Sequence, residues 1–131
     1  MMEAMQTAPI ILYGISNCDT VKRARQWLTA QQMDYRFHDF KSQGVPADHL
    51  DRWLSALGWE ALLNRSGLTW RGLDDAVKAS VNSVATARAV VLAHSSLIKR
   101  PVVEWGGAGD DALSVGFKEA AWSGRAHPSR R

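Results

Sequence analysis

The only thiol of the chain, Cys18, stands in the stretch Tyr13-Gly14-Ile15-Ser16-Asn17-Cys18-Asp19-Thr20-Val21. It lies between a short apolar run and a charged amphipathic segment, the place where a strand hands over to a helix. A helix beginning beside Cys18 aims unpaired backbone amides and roughly half a positive charge at the sulfur. That favours thiolate over thiol, and the thiolate is the nucleophile. Lys22, or an arginine arriving from elsewhere, adds to the effect, and Asp19 opposes it. Three positions on stands Val21 rather than a second cysteine. The site is therefore monothiol, and an oxidised Cys18 must be resolved by an outside thiol. Glutathione, small and abundant in the cytosol, is the expected co-substrate. The competing reading, a small buried apolar residue, is the common fate of a free cysteine. The polar neighbours Asn17, Asp19 and Thr20 bring the two readings into balance.

Arg100-Pro101 is the second informative pair. General X–Pro frequencies favour a trans bond, but a proline at the head of a strand in this arrangement is often cis, which turns the preceding backbone toward a ligand. Facing Cys18, Arg100 would receive an oxyanion or a carboxylate. Arg65, in Leu62-Leu63-Asn64-Arg65-Ser66-Gly67, follows a short helical turn and is a further candidate for the same cleft, against a plain solvated arginine. Asn17 has an amide to offer a bound oxyanion, or an ordinary turn role. His38-Asp39 has the form of a base and its orienter, but a strand-end histidine is the simpler reading. Four scattered histidines and one cysteine lack zinc spacing, so no metal and no tightly bound cofactor is expected. The glycines at 106, 107 and 109 precede no helix at phosphate-loop spacing. The six tryptophans read as core and interface packing.

The elements that must position these residues follow from periodicity. Ile10–Tyr13 is a continuous apolar run, the pattern of a strand covered on both faces, and Gly14 ends it. Val21, Ala24, Trp27 and Leu28 recur at helical spacing to about Gln32, with Asp19 or Thr20 as the expected cap. Tyr35–His38 alternates as a second strand, and Phe40–Pro46 reads as a loop. Helices are expected over Pro46–Leu57, ended by Gly58, then Trp59–Leu63, Asp74–Ser80 and Val84–His94. Pro101 opens Val102–Trp105, Gly106–Asp111 is a turn, and Ala112–Phe117 returns as the second strand of a hairpin. Lys118–Trp122 forms a last short helix. The order is α/β with one mixed sheet, in the thioredoxin-like arrangement of four strands with a helical insertion at about 46–95. A single domain over 1–124 and a disordered basic tail over 125–131 are expected.

At 131 residues with 46% hydrophobic and 22% charged residues, the chain can bury a core without disulfides or metals. No apolar run approaches the length of a membrane span, and the first residues lack a signal-peptide pattern, so a cytoplasmic protein without membrane attachment is expected. The net charge is +3, yet three arginines lie in the last seven residues. The body is then neutral, which argues against a nucleic-acid surface.

Four blocks resemble a known family: Leu12 through Ala24, Phe37-His38-Asp39-Phe40-Lys41, Leu62 through Arg71, and Ser96 through Val103. Together they are similar to the arsenate-reductase-like family (ArsC), which also contains the Spx transcriptional regulators, and most of all to its YffB-type branch. The resemblance spans about residues 9–120. It implies a thioredoxin fold with a helical insertion, and in the true reductases a thiolate that attacks arsenate, with glutathione and glutaredoxin completing the reduction. Cys18 matches the family's nucleophile, Arg100 one of its oxyanion-binding arginines, and Arg65 falls one residue from another. Two departures stand out. Ser114-Val115-Gly116-Phe117 lacks the arginine of the reductases' last hairpin, and Ile15-Ser16-Asn17 lacks their histidine. Losing a cation weakens the neutralisation that arsenate requires. The regulators' CxxC switch is ruled out by Val21. The expected function is a glutathione-dependent thiol oxidoreductase acting on an oxyanion or a glutathione mixed disulfide. The alternative is a non-enzymatic regulatory or docking module of the Spx kind.

Overall fold

The computed structural model describes residues 9–106 and 112–126. The chain divides into two compact units, one made of the segments up to His38 and from Arg100 onward, the other of Asp39–Lys99. The first unit holds the sheet. Strands β1 (Ile10–Gly14), β2 (Tyr35–Asp39), β3 (Val102–Glu104) and β4 (Leu113–Val115) lie in the order β2-β1-β3-β4. β1 pairs antiparallel with β3, Leu12 opposite Val103, and β3 pairs antiparallel with β4, Val103 opposite Ser114. This is the mixed four-stranded sheet that the sequence predicts.

Helix α1 (Asp19–Ala30) packs Val21, Ala24 and Leu28 against Leu12 and Val103 on one face of that sheet, and all five are fully buried. Helix α8 (Glu119–Ala126) adds Trp122 to the same core. Trp122 meets Trp105 and Phe117 edge-on, with ring centroids 4.9 and 4.6 Å away, and Trp27 at 5.7 Å. Three of the six tryptophans read as packing residues, Trp27, Trp105 and Trp122, thus form one aromatic cluster here with Phe117. Such edge-to-face pairs each contribute about 0.5–1.5 kcal/mol beyond area burial. β1 and α1 approach closely at Gly14: a Cβ there would lie 2.7 Å from Val21 Cγ2. Glycine at this position lets the helix start lie close to the strand end, which brings Cys18 beside the sheet.

The second unit is helical. Its elements are α2 (Phe40–Gln43), α3 (Ala47–Leu57), α4 (Trp59–Leu62), α5 (Leu68–Arg71), α6 (Asp75–Ser80), α7 (Val84–Ala93) and a 3-10 turn at Ser95–Leu97. Leu50, Trp53 and Leu54 of α3 and Ala87, Val90 and Val91 of α7 are buried. Arg88 ties the two helices at the surface through Asp51 at 2.6 Å. Gly58, at φ 88°, ends α3 in a conformation that glycine adopts at no steric cost. An antiparallel bridge of Leu63 with Ile98 joins the chain just before Arg65 to the chain just before Arg100.

Several expectations are corrected. The segment Phe40–Gln43, read as loop, is a helical turn: the Asp39 carboxylate accepts from the Lys41 amide, and Gln43 accepts from the Asp39 amide in return. Helix α5 was not anticipated, because a four-residue turn is too short to show periodicity. The final helix runs to Ala126, so Arg125, expected to begin a disordered tail, is helical. Most of the Gly106–Asp111 turn and the chain beyond Ala126 lie outside the described residues. No described helix is long and apolar enough to cross a membrane.

Candidate active site

Cys18 is itself the N-cap of α1, in extended conformation at φ −96° and ψ 126°. Asp19 or Thr20 was expected to fill that place. An N-cap side chain normally offers an oxygen to the amides two and three residues on. α1 has no conventional side-chain cap bond. The amides such a bond would satisfy, those of Thr20 and Val21, are turned to the sulfur instead. A thiolate accepts from amides far better than a thiol does, so the cap geometry selects the anion.

The balance at the sulfur has two sides. Partial burial beside the α1 core pushes the Cys18 thiol up, as loss of hydration does for any acid. The Val21 amide, the hydrogen bond and charge of Arg100, and the Thr20 amide pull it down, and together they hold it below the ordinary thiol value. Neither Lys22 nor Asp19, both expected to act on Cys18, is among the groups that set its ionisation. Cys18 is half-buried, so the sulfur is neither sealed in hydrocarbon nor fully in water.

Arg100 reaches the sulfur from the other end of the unit's sequence. The Arg100–Pro101 bond is cis. Pro101 is buried, and its carbonyl accepts from the Gly116 amide at 2.9 Å, which fastens the head of β3 to the end of β4. The backbone of Arg100 is thereby placed next to a hydrogen-bonded strand pair rather than a loose loop. Its guanidinium is half-buried, with Nε fully inside. A fixed planar cation beside a thiolate can also bind a second anionic group, because the guanidinium has five donors to share.

The other predicted residues fall out as follows. Asn17 is exposed in the turn that leads into Cys18, where the Cys18 amide donates to the Ile15 carbonyl at 3.2 Å. Arg65 belongs to the helical unit, exposed, with its guanidinium 5.9 Å from the Trp59 ring centre. Its connection with Cys18 rests on the resemblance alone. His38 lies in β2 with its ring 5.0 Å from that of Tyr13, whose hydroxyl donates to the buried Glu104 carboxylate at 3.0 Å. The unpaired helix amides that the sequence places at the sulfur are those of Thr20 and Val21. Cap spacing picks out these two once the cysteine, rather than Asp19 or Thr20 after it, is the cap.

The profile of the ArsC family matches residues 13–124, which include the end of β1, α1, Cys18, Arg100 and β3. The chain belongs to the ArsC family. Among solved structures it is similar to a YffB protein, at 46% identity and a TM-score of 0.80, over 87% of this chain and 96% of that one. An arsenate reductase-related protein from Brucella melitensis is 45% identical, with a TM-score of 0.68, over 90% and 94% of the two chains. An uncharacterized protein of Haemophilus influenzae is 37% identical over 110 residues, 84% of this chain and 92% of its own length. These likenesses place this ArsC member in the YffB-type branch and give its fold as thioredoxin-like.

Proposed function

We propose that this ArsC-family protein is a glutathione-dependent thiol oxidoreductase in which Cys18 is the single nucleophile. The observation that carries the reading is the sulfur of Cys18 meeting the α1 amides and the Arg100 guanidinium together. The Cys18 thiolate attacks the sulfur of a mixed disulfide between a substrate thiol and glutathione. A new bond forms between Cys18 and the glutathione sulfur, and the substrate leaves as a thiolate that takes a proton from water. A second glutathione thiolate then attacks the Cys18-bound glutathione sulfur, regenerating the Cys18 thiolate and releasing oxidised glutathione. One substrate disulfide is reduced and one glutathione disulfide is formed, so electrons balance without a metal or a bound cofactor. Glutaredoxin is the expected partner where a protein replaces the second glutathione. Arg100 receives an anionic group of the substrate, either a glutathione carboxylate or an inorganic oxyanion, with Asn17 and Pro101 as further candidates for that cleft.

Protection of Cys18 from iodoacetamide tests this. Oxidised glutathione is expected to slow alkylation of the intact chain, with full labelling restored after reduction by excess dithiothreitol. Arsenate and phosphate in parallel report whether Arg100 takes inorganic oxyanions. Alkylation at the same rate in the presence of all three ligands contradicts the proposal.

A further inference from the structure

An open surface groove of about 500 Å³ runs along α1 to the start of β2, lined by Lys22, Arg25, Gln26, Thr29, Ala30 and Tyr35. That volume is in the range of small-molecule sites. Residues 22, 25, 26 and 29 stand three and four apart, so one face of α1 presents two cations, an amide and a hydroxyl along about 10 Å of helix. Asp34 lines an adjoining hollow and not this one.

Arg25 is held rather than free to sweep. Its Nε donates to the Tyr35 hydroxyl at 2.9 Å, and its guanidinium carbon lies 4.1 Å from the centre of the Phe37 ring and 5.8 Å from that of Tyr35. The ring contacts and the bond to Tyr35 restrain the guanidinium, and that bond takes up one donor. The terminal nitrogens keep the fork that matches a carboxylate or a phosphate. Among the described residues neither Arg25 nor Lys22 pairs with a carboxylate. The half-exposed Arg25 side chain is thus held on aromatic rings with two cations side by side at the groove and no carboxylate paired to either among the described residues.

We infer that this groove binds a small organic anion, its carboxylate or phosphate head held by Arg25 and Lys22, and its apolar stem lying against Ala30 and the Tyr35 ring. The site involves neither Cys18 nor Arg100, so it stands or falls apart from the thiol chemistry.

The test is a titration of the isotope-labelled full chain, followed by amide chemical shifts, with phenyl phosphate, benzoate and the neutral benzyl alcohol. Both anions, or one of them, should give saturable shifts confined to the amides between Lys22 and Tyr35, and benzyl alcohol should not. A response to one anion alone identifies the head group. Arg25→Gln should weaken binding by about tenfold or more, the usual loss for a charge-assisted hydrogen bond. Arg25→Lys, which keeps charge without the fork, should fall between. Alkylation of Cys18 in Arg25→Gln should match the unchanged protein. Should Arg25→Gln not fold, Lys22→Gln, on the exposed side of α1, carries the same expectation of weaker binding. The inference is overturned by no saturable shift with either anion, by equal binding of benzyl alcohol, or by binding that persists unweakened in the variants.

Discussion

A Cys18→Ser variant is expected to lose glutathione-coupled turnover by about a thousandfold or more, because a hydroxyl at neutral pH supplies almost no anionic nucleophile. Its stability should not fall. Serine is a preferred N-cap, and its oxygen can accept from the same Thr20 and Val21 amides that now face sulfur. Release of oxidised glutathione from a glutathione mixed disulfide measures the first quantity, and thermal unfolding the second. Turnover that survives in the serine variant would mean that Cys18 is not the nucleophile. A stoichiometric protein partner captured equally by both forms, with no turnover in either, would favour the docking-module reading instead.

An Arg100→Gln variant tests the other half of the site. Arg100 acts on Cys18 through a hydrogen bond and through its charge, both favouring the thiolate. Hydrogen bonds to charged groups contribute about 1.5–3 kcal/mol, so glutamine should lower turnover by roughly tenfold to a hundredfold. A merely structural role would leave the ionisation of Cys18 where it is. The pH profile of alkylation is instead expected to move to higher pH while its alkaline plateau is retained. Arg100→Lys should recover part of the shift, since charge returns without the planar fork.

Much of the site was legible because it lies on strongly patterned segments. Ile10–Tyr13 and the Val21, Ala24, Leu28 stripe announced a strand and a helix, and Cys18 had to sit at their junction. Pro101 before Val102-Val103 marked the head of β3. The cap itself was less legible: Asp19 and Thr20 are the better capping residues by type, and Cys18 takes the place because Asp19 is already the first helical residue. The single turns at Phe40–Gln43 and Leu68–Arg71 hold too few residues for a period to appear. The Arg25 clamp was invisible for a different reason. Its partners Tyr35 and Phe37 are on β2, and only folding reveals that a residue of the helix's polar flank lies over that strand.

Ionisation of Cys18 also couples to stability. Its folded-state value lies below that of the unfolded thiol. Between the two the folded chain holds fewer protons than the unfolded one, and stability rises with pH across that window. The stabilisation is present above the unfolded thiol's value of about 8.5 and is lost as pH falls through the folded value. The most direct measurement is therefore the rate of Cys18 alkylation by iodoacetamide, a neutral reagent, as a function of pH. A half-maximal rate is expected at a pH clearly below about 8.5, the value for an unperturbed thiol. A midpoint at or above that pH would contradict it.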